Sequence, residues 1–240
     1  MFQNIPPVTK NLLLINVLVY IISLVLSSRG IDMIHILGTH YFGTVFFEPY
    51  QIISHMFMHS MTGFMHILFN MLLLVMFGAH LEKIWGAKRY FIFYIASGLG
   101  AFALYNGIGV WQIMVLKNEL VALGYDVQQI DIDFSRNMVP VSTSPAIIKE
   151  YYSYNASSLV GASGAIFGLL AGFAILFPNT ELMLLFPPIP IKAKYLIGGY
   201  IAFEIYSSIY KSGDTIAHLA HVGGAIVGVI LVLIWKKQNR

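Results

Sequence analysis

No cysteine occurs among the 240 residues, which excludes disulfides, thiolate nucleophiles and thiolate metal ligands. Charge is also scarce. Only 10% of the residues are Asp, Glu, Lys or Arg, against roughly 25% in an ordinary soluble domain. The opening MFQNIPPVTK lacks the basic start and small-residue cleavage site of a signal peptide, so the first apolar run is expected to stay in the mature chain. There is no internal repeat and no low-complexity tract. Apolar surface is what the chain has in excess: 58% hydrophobic residues and a mean hydropathy of +0.74. A soluble core of this size cannot enclose that much. The bilayer is the better solvent, and the expectation is a polytopic membrane protein forming one domain over residues 1–240.

A spanning helix needs about 20 mostly apolar residues. Six segments fit: near Asn11–Ser27, Gly63–His80, Tyr90–Tyr105, Leu159–Phe177, Lys194–Ile209 and Thr215–Trp235. The fold class is therefore all-α, a bundle of six transmembrane helices. Two longer stretches separate spans on one side, at about 28–62 and 106–158. The first is rich in aromatics and histidines, as expected of a loop lying partly in the interface. In the second, Val115–Leu123 reads as a short amphipathic helix, and Asp126–Pro145 as an external loop.

Charge placement orients the bundle. With an even number of spans, Lys10, Lys83, Lys88, Arg89, Lys192, Lys194, Lys236, Lys237 and Arg240 share the side of the termini. The other side holds Arg29, Lys117, Arg136, Lys149 and Lys211, diluted among acidic residues. The positive-inside rule places both termini in the cytoplasm. The net charge of +3 thus reflects topology, and no clustered basic module points to nucleic acid.

Polar groups inside spans are costly and mark function by default. Here they gather towards the external ends: His66 and Asn70 in span two, Ser163 at the start of span four, His218 and His221 in span six. Gly161-Ala162-Ser163-Gly164 puts a hydroxyl between small residues at a loop-to-helix junction, where unpaired N–H groups can hold an oxyanion. The bland alternative is a tight packing turn. Gly224 and Gly228 form a small-xxx-small face, and His221 lies on nearly the same face. If span four is the neighbour, His221 meets Ser163 as a base. Otherwise it is a buried histidine bonded between helices. His66 and Asn70, at i and i+4, are paired donors for an oxyanion or a structural polar pair. His55 and His59 share the spacing of a zinc helix, but Met56-Phe57-Met58 supplies no glutamate; a zinc held by His55, His59 and His66 would lack a general base, and no metal or other cofactor is expected.

Together these motifs resemble the rhomboid family of intramembrane serine proteases, over roughly Asn11 to Trp235. The family's GxSG matches Gly161 to Gly164, its HxxGxxxG matches His221, Gly224 and Gly228, and its HxxxN matches His66 and Asn70. The resemblance implies Ser163 as nucleophile, His221 as base in a dyad without a carboxylate, and His66, Asn70 and the Ser163 N–H as oxyanion donors. It implies transmembrane protein substrates cut near helix-destabilising residues, and an active site opening to the external side of a bacterial cell membrane. Two positions depart from the family. Tyr50-Gln51 stands where a Trp-Arg pair is common. Phe167 stands where a tyrosine often stacks on the catalytic histidine. Glu82 is implied to be a structural anchor, Glu204 inside span five needs a partner, and His218 is expected to support His221. Span five and the loop around Lys211–Asp214 are candidates for a lateral gate. Two rival functions remain: a non-catalytic binder of client helices, which would typically have lost the serine or histidine, and a transporter, which would show inverted repeats.

Overall fold

The computed structural model describes residues 5–61, 63–136, 138, 143–184, 187–210 and 215–238. Helix α1 (Pro7–Ser27) starts at a proline, whose missing N–H costs nothing in a first turn. Its next N–H groups are taken by a distant carboxylate. Glu82 accepts from Val8 N–H at 2.9 Å, from Thr9 N–H at 2.7 Å and from the Thr9 hydroxyl at 2.7 Å. A buried negative charge at a helix N-terminus also meets the positive end of the helix dipole.

The segment that follows carries two short helices, α2 (Met33–Leu37) and α3 (Gln51–Ser54). Helix α4 (Phe64–Leu73) runs through a π turn (Leu74–Gly78) into α5 (Ala79–Ala122). This run is two helices joined at Gly86, which has φ 75° and ψ 164°. The Trp85 and Phe93 ring centroids lie 4.7 Å apart. Residues that far apart along one straight helix would be about 12 Å apart, so the chain doubles back at Gly86.

Residues 87–122 then form one continuous helix of about 54 Å, longer than the roughly 30 Å hydrocarbon core. This corrects the expected stop at Tyr105 and the separate helix over Val115–Leu123. Gly107 and Gly109 look like a break, but no proline follows them, and the Tyr41 ring occupies the space beside Gly109. Helices α6 (Val127–Ser135) and α7 (Ala146–Ala156) lie in the stretch expected to be a loop. They are tied to α5 through Asp131, which accepts from Lys117 Nζ at 3.1 Å and from the Tyr151 hydroxyl at 2.6 Å. Among the described residues a short hairpin interrupts a mostly helical fold, in line with the expected all-α class. After α8 (Ser163–Leu176), strands β1 (Glu181–Met183) and β2 (Pro190–Lys192) form an antiparallel hairpin, pairing Glu181 with Lys192 and Met183 with Pro190. The prolines there forbid helix but leave edge pairing open. Helices α9 (Ala193–Tyr210) and α10 (Thr215–Gln238) complete the chain. The loop Lys211–Asp214 lies outside the described residues.

Among the described residues, three helical runs are long and apolar enough to cross a membrane: Pro7–Ser27, Phe64–Ala122 and Ala217–Gln238. Helix α8 is shorter, with 14 residues, and every residue from Gly164 to Phe173 is buried. A helix apolar all round belongs inside a bundle. Its neighbours are α5, α9 and α10. A Cβ on Gly224 would collide with the Gly164 carbonyl oxygen, and one on Gly228 would come within 2.6 Å of the Gly168 carbonyl oxygen. The two helices therefore run parallel with backbones in contact. Helix α5 packs antiparallel to both: Ala101 faces Gly164, Ser97 faces Gly168, and Phe93 faces Gly172. Glu82→Ala should remove the cap of α1 and cost about 2–3 kcal/mol, read as a lowered thermal midpoint in detergent. Neighbouring exposed Lys83→Ala should stay within about 0.5 kcal/mol.

Candidate active site

Helices α4, α8 and α10 run parallel, and Ser163 at the start of α8 lies level with His66 near the start of α4 and with His221 about two turns into α10. The rings of Phe77 and Phe173, further down α4–α8, meet at 4.9 Å, consistent with that register. His66, Asn70, Ser163 and His221, far apart in the chain, meet at this level. The Ser163 hydroxyl lies 2.9 Å from His221 Nε2. On the ring's other side, His221 Nδ1 lies 2.9 Å from Glu204 Oε2. A carboxylate only accepts, so Nδ1 carries the hydrogen and Nε2 is left to accept from Ser163. Phe167, one helical turn after Ser163, stacks on the imidazole with centroids 4.2 Å apart and planes 10° apart.

His66 and Asn70 face the same cavity, of about 270 Å³, which is also lined by Ser163, Phe167, Tyr200 and His221. The Ser60 N–H donates to His66 Nδ1 at 3.0 Å, which leaves Nε2–H as a donor. Asn70 Nδ2 donates to the His66 carbonyl at 2.7 Å. Gly161 sits between these groups. Its φ is +130°, a region that disfavours side chains, and a Cβ there would stand 3.3 Å from Ser163 Oγ and 3.4 Å from His66 Cε1. The first-turn N–H groups of α8 lack carbonyl partners within their own helix. A hydroxyl bonded to an accepting imidazole nitrogen, with an N–H cluster beside it, can attack a carbonyl and hold the resulting oxyanion.

The serine is held in place from outside α8. The strand-like entry to the helix is pinned by Thr39 and Leu159, each donating its N–H to the other's carbonyl at 2.9 Å, and by Gly161 N–H to the His55 carbonyl at 2.9 Å. The 28–61 segment is itself anchored by Gln51. Its Oε1 accepts from the N–H groups of His40 and Glu48, at 3.2 and 3.1 Å, and its Nε2 donates to the carbonyls of Ile36 and Phe46, at 3.3 and 3.2 Å. One buried amide thus uses both ends to organise the loop, at the position where the sequence departs from the family pattern.

The histidines of the rival metal reading do not converge. His55 Nδ1 bonds the Gln51 carbonyl at 2.9 Å, and burial pushes its pKa down to about 4, so it is neutral at ordinary pH. His59 Nε2 bonds Asn16 Oδ1 at 2.9 Å, while His66 takes the Ser60 N–H. A different trio, Glu204, His218 and His221, brings three possible ligand atoms within 4.8 Å of one another. Its hydrogen bonds already account for the arrangement, since both imidazole Nδ1 atoms donate to the one carboxylate oxygen.

The structure therefore brings together Ser163, His221, His66, Asn70, Gly161 and Phe167, with Gly164, Gly224 and Gly228 at the helix contact beside them. His218 lies behind Glu204, not against Ser163. Glu204 is the residue that sequence reasoning left without a partner. A lone acid inside an apolar span was the available signal, but no local motif joins it to His221 on the next helix.

The sequence matches the Rhomboid domain family over residues 46–115 and 138–238. It is 26% identical to Rhomboid protease AarA of Providencia stuartii over 234 residues, covering 93% of this chain and 70% of that protein. It is 27% identical over 180 residues to the mitochondrial Rhomboid protein 1 of Saccharomyces cerevisiae, covering 75% of this chain and 40% of that one. An uncharacterized mitochondrial rhomboid protein of Schizosaccharomyces pombe is 36% identical over 91 residues, 35% of this chain and 23% of its own length. If the Phe167 stack holds the His221 ring towards Ser163, Phe167→Ala should slow fluorophosphonate labelling of Ser163 about 3- to 10-fold, with the helical signal unchanged. Phe167→Tyr keeps the ring and should label at nearly the parental rate.

Proposed function

The chain belongs to the rhomboid family and is an integral membrane protein, and on that footing we propose that it is an intramembrane serine endopeptidase acting on transmembrane segments of other membrane proteins. The observation that carries this reading is the 2.9 Å contact from the Ser163 hydroxyl to His221 Nε2, beside the donors His66 and Asn70. A chain that only bound client helices would have no use for a serine placed against a correctly tautomerised base.

The reaction is acyl transfer. A substrate segment unwinds locally, because a helical peptide bond shields its carbonyl from attack. His221 Nε2 takes the Ser163 proton as Oγ attacks the scissile carbonyl. The oxyanion is held by His66 Nε2–H, the Asn70 amide and the Ser163 N–H. His221 then passes the proton to the leaving amine. Water, activated by the same imidazole, releases the acyl group and restores Ser163.

In this reading the chain crosses the bilayer six times, through α1, residues 64–85, the first part of residues 87–122, α8, α9 and α10. The basic residues near the termini and near Lys83–Arg89 place that end in the cytoplasm. The catalytic groups then lie a short way below the external face of a bacterial cell membrane, where water reaches them without a full channel. The long end of residues 87–122, with α6 and α7, forms an external cap.

In detergent or liposomes the full chain should cleave a fluorogenic transmembrane reporter, and Ser163→Ala and His221→Ala should each abolish cleavage. Undiminished turnover by either variant would overturn the assignment. His66→Ala and Asn70→Ala should each lower kcat by about 10²–10³ while leaving KM nearly unchanged, because oxyanion donors act in the transition state.

A further inference from the structure

Glu204 is 3% exposed and sits in α9, a helix otherwise built of apolar and uncharged residues between Tyr195 and Tyr210. A carboxylate removed from water inside a membrane helix is expensive unless it is paired and hydrogen-bonded. It shares the inward face of α9 with Ala193, Ile197 and Ser207, so it points to α8 and α10 and not to lipid. Its Oε2 receives two bonds, from His218 Nδ1 at 2.6 Å and from His221 Nδ1 at 2.9 Å.

We propose that Glu204 is a positioning residue that completes a Ser163–His221–Glu204 relay, in place of the bare serine–histidine dyad; this rests on Ser163 and His221 being nucleophile and base. Three consequences follow from a carboxylate at Nδ1. It holds His221 in the tautomer whose Nε2 can accept a proton. It fixes the ring plane, together with the Phe167 stack on the face. It also offsets the positive charge that appears when the ring takes the Ser163 proton. That proton moves from Oγ to Nε2 and later to the leaving amine. Glu204 stays ionised throughout and neither gains nor loses a proton.

A merely structural clamp between α9 and α10 accounts for less of the geometry. The shorter bond to His218 would by itself tie the two helices. The second bond goes to the one imidazole that faces the serine. His218 serves instead to hold the carboxylate, occupying Oε2 from the far side so that Glu204 cannot swing away from His221. The titratable groups around His221 are Glu204 and Tyr200 from α9, His218 from α10 and His66 from α4. Glu204 is the one carboxyl group among them.

The test compares the full chain with Glu204→Gln and Glu204→Asp, reading kcat and KM on the transmembrane reporter, fluorophosphonate labelling rate, and the pH profile of kcat/KM. Each rate is normalised to folded protein by size exclusion. The Gln side chain keeps the shape but can present its amide N–H₂ to Nδ1 and reverse the tautomer. Glu204→Gln should therefore lose about 10²- to 10⁴-fold in kcat at similar KM, with labelling slowed in parallel. Its residual activity should have an acid limb moved to lower pH, because the imidazolium has lost its anionic partner. Glu204→Asp should recover part of the rate. Glu204→Gln cleaving and labelling within about 3-fold of the parent, with the same acid limb, would overturn the relay. So would losses in both variants that only track the folded fraction. Activity surviving in Ser163→Ala overturns the protease assignment and the relay together; an inactive Ser163→Ala beside a parent-like Glu204→Gln overturns the relay alone.

Discussion

Everything at the site depends on how closely the backbones of α8 and α10 approach. Lipid tails are as apolar as leucine, so no hydrophobic drive brings two membrane helices together; packing must do it. Gly164 against Gly224 and Gly168 against Gly228 let the main chains touch, and the register they set is parallel. Ser163 stands immediately before the first contact on one helix, and His221 one turn before it on the other. A hydrogen bond of 2.9 Å between their side chains is a consequence of that contact. Larger residues at these glycines would widen the gap by more than a hydrogen bond can span.

The second constraint comes from the segment before α4. A serine at the first turn of a helix is free to move unless the entering chain is fixed. Here Leu159 and Gly161 are fixed by main-chain bonds to Thr39 and His55. The chain around Thr39 is in turn held by the buried Gln51 amide, which accepts from the His40 N–H, and by the Ser54 hydroxyl, which donates to the Leu37 carbonyl at 2.7 Å. The 28–61 segment thus works as a mould for Ser163. An amide can fill this role because the loop offers both carbonyls and N–H groups within its reach.

Charge is used sparingly and each buried carboxylate has a defined task. Glu82 closes the first turn of α1, and Glu204 bridges two imidazoles. Both are 3% exposed, and both receive more than one hydrogen bond, which is what makes a buried anion tolerable. Among the described residues, the remaining acidic ones lie on loops, at Glu181 in β1 and on the α5–α7 extension, where Asp131 joins three helices through Lys117 and Tyr151.

Much of this was legible in the residues. Low charge and high hydropathy decide for the membrane, because transfer energies depend on composition and not on arrangement. GxSG, HxxxN and HxxGxxxG each mark a helix end or a close-packed face by local spacing, so Ser163, His66, Asn70 and His221 could be named. Three features could not. The extension of α5 to Ala122 depends on Tyr41 covering Gly109, the anchoring by Gln51 depends on a loop folding over it, and the partner of Glu204 lies on a different helix. Helical periodicity reports which side chains share a face of one helix. It carries no information about which faces meet, at what depth, or which buried charge finds which imidazole. Those are decided only when α8, α9 and α10 pack, because hydrogen bonds act over about 3 Å and only the assembled bundle brings the groups that close.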